Sequence, residues 1–425
     1  MKVKVYPSTI DTNPFINLPP SKSIAHRAII CASLANGTSK LTPIEYSEDI
    51  LATINGAKEL GSTITTLDDT LLIQGNGFIK NTTHEIYCNE SASTLRFFIP
   101  LFALLNQNSV FIGKESLLSR PLQIYQDLFQ KMNLMFVTHP DYISIHGPLK
   151  GGEFSIRGNV SSQFISGLFF ALPLCQENSI IEVTEKIESY PYILLTIHIL
   201  QQFHIHIEKR GKNKFFIAGN QKYLPKDFTI EGDFSQLSYL ALLGILNQPI
   251  TFTNVPFHSF QGDKIILKIL KDLNVKMIEK ASQLTIFPSM ISSYTFDISD
   301  YPDLALSLCV LGMFCQGTFI LKNVHRLAYK ESNRIQSIIE EMIKLGVDIS
   351  MLDDTLIIHG SSNEHFYHQN LFSHHDHRIL MALFMCCVNC QNPIVIEGAE
   401  CINKSYPSFY QTMKKIGVRF EILKS

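Results

Sequence analysis

Residues 60–75 read LGSTITTLDDTLLIQG and residues 345–360 read LGVDISMLDDTLIIHG, nearly the same sentence written twice. Four weaker copies follow the same grammar: MNLMFVTHPDYISIHG from Met132, FHIHIEKRGKNKFFIAG from Phe203, LNVKMIEKASQLTIFP from Leu273, and IGVRFEILKS from Ile416, cut short by the end of the chain. With Gly61, Asn133, His204, Asn274, Gly346 and Gly417 taken as equivalent, the copies recur at a period of roughly 70 residues. That is long for a solenoid and leaves room for several elements per unit.

Working back from each copy, a unit opens at Ser21, Ser91, Ser161, Asp233, Asp300 or His375, residue types suited to cap the apolar helical run that follows. A Gly or Asn turn, a β-rich run such as GTFILKNV, a polar loop and a second helix such as IQSIIEEMIKL come next, and the quoted strand pair closes the unit. Each unit therefore reads βαβαββ, an α/β pattern with six chemically similar helix starts.

The 425 residues, 45% of them hydrophobic, suffice for two or more domains with large cores. A net charge of −2 argues against a nucleic-acid or membrane-surface protein, so any basic site is local. Apolar stretches such as FISGLFFALPLC fall short of the roughly 18 residues of a membrane span, and no signal-peptide pattern opens the chain, so the expectation is cytoplasmic. Nine cysteines without a regular framework fit reduced, buried thiols. Cys387 and Cys390 lie in the apolar run MALFMCCVNC with no second pair at metal-site spacing and read as core.

The openings carry the chemistry. The first three read SKSIAHR, SASTLR and SSQF; the last three read DFSQ, YPD and HDHR. A helix start offers unpaired N–H groups and about half a positive charge, so Ser, Lys and Arg there make an anion site. Lys22 and Arg27 oppose the helix dipole unless an anion lies between them. The loops before the second helices hold a parallel set, SRP, SYPY, QGD, LAYKESNR and INKSYP. Taken alone, Lys330, Glu331 and Arg334 could equally be a solvated first helical turn.

In this order, over roughly residues 18–410, SKSIAHRA, STLR, SRP, SSQF, YPD, KESNR, DHR and INKSYP resemble the motif series of the 3-phosphoshikimate 1-carboxyvinyltransferase family, the enolpyruvyl transferases of the shikimate pathway. The resemblance implies a two-domain inverted α/β barrel, each domain built of three βαβαββ repeats, with helix starts facing an interdomain cleft. It puts one domain at 21–231 and the other at 1–20 plus 232–425. It implies transfer of the enolpyruvyl group of phosphoenolpyruvate to the 5-hydroxyl of shikimate 3-phosphate, with release of phosphate, in aromatic amino acid biosynthesis. By the same resemblance, Lys22, Ser23, Arg27, Ser161, Ser162, Gln163, Ser189, Tyr192, Asp303 and Lys330 meet shikimate 3-phosphate. Lys22, Ala92, Arg120, Gln163, Arg334, Arg378 and Lys404 meet phosphoenolpyruvate. Asp303, Glu331 and Lys22 are its proton-transfer groups. No cofactor, no metal, a monomer, and no nucleic-acid or membrane partner are expected: no metal-ligand set appears, the enol phosphate carries its own activation, and the net charge is near neutral.

The physics agrees with that allocation, since phosphate and carboxylate groups suit Arg forks and Lys ammoniums. Some positions depart from the commonest family pattern: Pro20 stands where Gly is frequent, Asn333 replaces an Asp, and the common NSGT segment reads Glu90-Ser91-Ala92-Ser93. Two alternatives fit the sequence less well. A UDP-N-acetylglucosamine enolpyruvyl transferase would carry a reactive Cys loop, but GKESLLSRP has no cysteine. An inactive anion-binding repeat protein would gain nothing from Asp303 and Glu331 among its cations.

Overall fold

The computed structural model describes residues 1–423 apart from 9, 12, 81–82 and 361–369; the final two residues of the cut-short copy lie outside these. The six residues aligned above as equivalent all have positive φ, from 54° at Asn133 to 107° at Gly61. Each lies two positions past the end of a second helix: Glu48–Glu59, Gln123–Lys131, Tyr190–Gln202, Ile265–Asp272, Arg334–Lys344 and Phe409–Lys415. Their N–H groups close the last helical turn, as in Gly61 to the Lys58 carbonyl at 2.9 Å and Asn274 to the Lys271 carbonyl at 2.9 Å. A left-handed residue is what such a cap requires, and Gly or Asn supplies it with least strain. The repeat is thus written in backbone conformation more strongly than in residue identity.

Among the described residues the strands form six four-stranded sheets of one topology. The strand before the first helix lies at one edge, parallel to the strand after it; that strand pairs antiparallel with the last strand of the hairpin, whose partner forms the other edge. Two departures from chain order follow. Lys2–Val5 pairs with Ile394–Glu397 and Phe420–Leu423, so the N-terminal strand supplies what the truncated sixth copy lacks. Phe15–Asn17 pairs with Ile250–Thr253, and Phe228–Thr229 pairs with Asn36–Thr42, so the opening strands of the first and fourth copies are exchanged.

The chain divides into two compact units, Pro20–Ile230 and Met1–Pro19 with Glu231–Ser425. Each has its own apolar core. The first helices, such as Ala305–Met313 and His377–Val388, are buried on every side, whereas Arg334–Lys344 buries one stripe. Strands alternate buried and exposed residues, as in Glu153–Arg157. Helices therefore sit inside and sheets outside, the inverted arrangement expected from the resemblance. The cysteines are free and eight of the nine are buried, Cys387 and Cys390 within the core.

The openings differ in detail from the sequence reading at two places. Asp300 does not cap the fifth first helix, which is entered through the 3₁₀ turn Pro302–Leu304 containing Asp303. At the sixth, Asp376 rather than His375 is the cap, its carboxylate accepting from the Arg378 N–H at 2.9 Å. Asp376 has the chemistry and the geometry of a cap, whereas the fifth helix starts without a side-chain cap.

Candidate active site

In the unit Pro20–Ile230, side chains from the second helices tie the starts of the first helices together, and the pattern repeats three times. Thr53 joins His26 (2.6 Å) to Thr94 (2.7 Å), which donates to the cap Ser91 at 2.7 Å. The Tyr125 hydroxyl donates to the Arg96 carbonyl at 2.7 Å and lies 3.1 Å from that of Phe164. Thr196 meets Ser166 at 2.8 Å and accepts from Arg27 Nε at 2.8 Å. Interior hydroxyls so placed fix the helix starts relative to one another.

On this frame stand the residues assigned to anions. Lys22 begins the helix Lys22–Leu34, and its ammonium lies 2.7 Å from the buried Asp49 carboxylate, so in the free protein its counter-charge is a protein group. Arg27 donates to the Ser23 carbonyl at 2.7 Å and lies over the Phe97 ring. Burial pulls its pKa down to about 10, with Tyr192 and Cys31 opposing, which leaves it charged at neutral pH. Ser161 caps the helix Ser162–Ala171 and accepts from the Gln163 N–H at 3.3 Å. The Gln163 amide is fixed at both ends, accepting from Arg96 at 2.9 Å and donating to Ser93 at 3.0 Å. Ser189 takes a left-handed conformation (φ 55°) before the helix Tyr190–Gln202, and the Tyr192 carbonyl accepts from Thr196 at 2.9 Å. Ala92 opens the helix Ala92–Phe102 directly after its cap Ser91. Arg120 is buried, its Nε donating to the Ser116 carbonyl at 3.1 Å.

In the other unit the carboxylates and cations interlock. Asp303 Oδ2 lies 3.1 Å from Arg378 Nη2, and Asp303 Oδ1 lies 3.4 Å from Arg334 Nη1 and 3.7 Å from the Lys330 ammonium. Arg334, only 1% exposed, reaches Glu331 at 2.6 Å and Asp376 at 2.8 Å, so the solvated-turn reading of KESNR does not hold for it. Arg378 also donates to Ser235 at 2.5 Å. Burial raises the Asp303 carboxyl, but Arg378, Lys330 and Arg334 outweigh it and hold the group well below the usual carboxylate range. Lys330 is pulled down to about 8, by burial first and by Arg334 and Arg326, against the pull of Asp303 and Glu331. Lys404 is buried at the end of the 3₁₀ segment Ala399–Lys404.

Sequence reasoning passed over Asp49, Arg96, Thr196 and Asp376. Two of them carry a readable signal: Arg96 closes STLR and Asp376 opens DHR. Among the described residues one group could hold a metal ion, Glu340, Glu341 and His374, with ligand atoms within 4.8 Å of one another. Glu341 there already has the Lys344 ammonium at 2.7 Å. Among the described residues no helix is long and apolar enough to cross a membrane.

Comparison with known proteins shows the family by sequence and the fold by structure. A family model described as EPSP synthase (3-phosphoshikimate 1-carboxyvinyltransferase) matches residues 11–413. A 3-phosphoshikimate 1-carboxyvinyltransferase of Clostridium kluyveri is 41% identical over 404 residues, covering 95% of this chain and 94% of that one. Its counterpart in Clostridium acetobutylicum is 39% identical over 424 residues, covering 98% and 97%. The fold is that of a solved EPSP synthase from Acinetobacter baumannii, with a TM-score of 0.83 at 22% identity over 100% of both chains. The enolpyruvyl transferase NikO from Streptomyces tendae shares it, with a TM-score of 0.80 at 13% identity over 100% of this chain and 99% of that one.

Proposed function

Because this chain belongs to the EPSP synthase (3-phosphoshikimate 1-carboxyvinyltransferase) family, we propose that it transfers the enolpyruvyl group of phosphoenolpyruvate to the 5-hydroxyl of shikimate 3-phosphate and releases phosphate. The two units Pro20–Ile230 and Met1–Pro19 with Glu231–Ser425 are its two enolpyruvyl-transferase domains. The observation that carries the reading is the arrangement of Arg334, Arg378 and Lys330 around Asp303, a carboxylate kept charged among cations suited to phosphate and carboxylate groups.

Shikimate 3-phosphate is assigned to Lys22, Ser23, Arg27, Ser161, Ser162, Gln163, Ser189, Tyr192, Asp303 and Lys330. Phosphoenolpyruvate is assigned to Lys22, Ala92, Arg120, Gln163, Arg334, Arg378 and Lys404. In the reaction the donor's methylene carbon gains a proton, the 5-hydroxyl oxygen bonds to the carbon bearing the phosphate, and the hydroxyl proton passes to Asp303. Loss of phosphate and of a proton from the resulting methyl group then regenerates the double bond. Glu331 and Lys22 are the groups that serve the methylene carbon.

A carboxylate held this far down is a weak base in the free enzyme. The substrates correct this: when their anionic groups occupy Arg334, Arg378 and Lys330, the field that depresses Asp303 is cancelled and its basicity rises. Base strength is thereby tied to occupancy. The test is phosphate release from shikimate 3-phosphate plus phosphoenolpyruvate, with UDP-N-acetylglucosamine as the competing acceptor. Release with the UDP-sugar and none with the shikimate ester would overturn the assignment.

A further inference from the structure

Glu90 stands two residues before the helix Ala92–Phe102, where the commonest family pattern has a neutral residue, and the proposed reaction gives its charge no part. Its position beside a helix start tolerates a negative charge, because the dipole is positive there. Its contacts are specific. Oε1 accepts from the Ser116 hydroxyl at 2.9 Å, and Oε2 lies 3.8 Å from the Lys114 ammonium. The neighbouring Asn89 carbonyl accepts the Lys114 N–H at 2.9 Å. Both contacts fall on the segment that delivers Arg120.

That segment is built around the helix Glu115–Leu118, four residues long and far too short to hold itself together. Buried Leu117 and Leu118 anchor one side of it. On the polar side, Ser116 is engaged twice: its hydroxyl donates to Glu90, and its carbonyl accepts from Arg120 Nε at 3.1 Å. A hydrogen bond to a carboxylate is stronger than one to a neutral acceptor. The chain of contacts therefore runs from Glu90 through Ser116 to the guanidinium.

We propose that Glu90 is a positioning residue for Arg120, latching the 114–120 turn through the Ser116 hydroxyl so that the guanidinium is held ready for the donor anion. This rests on the assignment of Arg120 to phosphoenolpyruvate. Glu90 itself touches no reacting atom.

The test is steady-state kinetics of the full chain with Glu90→Ala, Glu90→Gln, Ser116→Ala and the double Glu90→Ala/Ser116→Ala. Loss of the latch should raise KM for phosphoenolpyruvate by about 3- to 10-fold, with kcat and KM for shikimate 3-phosphate within about twofold, the pattern of lost uniform binding. The double variant should be no worse than either single, since both remove one contact. Glu90→Gln keeps an acceptor and should stay within about twofold of the parent. An unchanged KM in Glu90→Ala, multiplying effects in the double, or Glu90→Gln as impaired as Glu90→Ala overturns the latch; so does a lower KM, which would make Glu90 merely a repulsive charge. Hydrogen–deuterium exchange of the ligand-free protein gives a second readout independent of substrate. Amides of residues 114–120 should exchange faster in Glu90→Ala and Ser116→Ala than in the parent. If the parent shows no turnover, the functional reading fails on its own, and unchanged exchange then overturns the latch separately.

Discussion

Lys330, assigned to shikimate 3-phosphate, should make activity sensitive to pH just above neutrality. Its ammonium is pulled down to about 8 by burial, reinforced by Arg334 and Arg326 and opposed by Asp303 at 3.7 Å and by Glu331. Against the ordinary value of 10.5, the charged form is disfavoured by about 3 kcal/mol. With a pKa near 8, about one-tenth of the free enzyme carries the charge at pH 9, so kcat/KM for shikimate 3-phosphate should fall about tenfold per pH unit beyond that point. Stability moves the other way. The unfolded chain holds the Lys330 proton more tightly than the folded one, so this group raises stability as pH climbs from about 8 to 10.5. Activity lost in that window is therefore not unfolding, and a urea titration at pH 9 should show the protein no weaker from this cause. The assay is phosphate release from pH 6 to 10, in the parent and in Lys330→Arg, whose guanidinium stays charged throughout. The alkaline limb should vanish in the variant even if its absolute rate is lower. An identical limb in Lys330→Arg, or a parent profile flat to pH 9.5, would refute the reasoning.

Three further outcomes are expected. Lys22→Ala should abolish phosphate release and weaken both substrates by about 1.5–3 kcal/mol, read by titration calorimetry; near-normal turnover would remove Lys22 from the site. Asp376→Ala removes the cap of the helix His377–Val388 and the bidentate partner of Arg334, costing about 2–4 kcal/mol in urea unfolding of the full chain. A loss under about 0.5 kcal/mol would mean that Glu331 and Asp303 suffice for Arg334. Ala92 places a methyl where the resembling family usually has Gly, against the phosphoenolpyruvate site, so Ala92→Gly should make the enzyme about 5- to 100-fold more sensitive to glyphosate, a slightly longer anion; equal inhibition of parent and variant would end the steric argument.

The fold was legible because its repeat constrains the backbone at a position that sequence can mark. Three of the six left-handed caps are Gly and two are Asn, and only His204 hides the signal. The exchange of opening strands was not legible from pairing preferences. Phe15–Asn17 and Phe228–Thr229 are two or three residues long and would suit either neighbour, so only the resemblance pointed to a crossing. At the site, the residues assigned to the ligands fall in recognisable motifs, as do Arg96 and Asp376 beside them, while the hydroxyls that brace the helix starts do not. Thr53, Tyr125 and Thr196 act through single hydroxyls on the buried faces of the second helices, where Thr or Tyr reads as ordinary core. Asp49 lies in the first turn of Glu48–Glu59, where an acidic residue is the expected complement to the helix dipole, so nothing singled it out as the partner of Lys22.

That last point changes what the anion sites are. By sequence Lys22 and Arg27 oppose the helix dipole and call for an anion, and Arg334 is assigned to one by the family resemblance. In the folded chain Lys22 has Asp49, Arg334 has Asp376 and Glu331, and Arg378 has Asp303. These carboxylates let cations be buried before any ligand arrives, because a buried charge left unpaired costs far more than a paired one. They also compete with the substrate for the same donors. In the proposed assignment binding is a sharing of partners: the fork of Arg334 keeps Asp376 on Nε while an incoming phosphate or carboxylate competes with Asp303 for Nη1. On that assignment Asp303, relieved of one cation, should become the better base. The contacts that stabilise the free protein are thus the ones that, in the proposed reaction, substrate binding must loosen before Asp303 can act as a base.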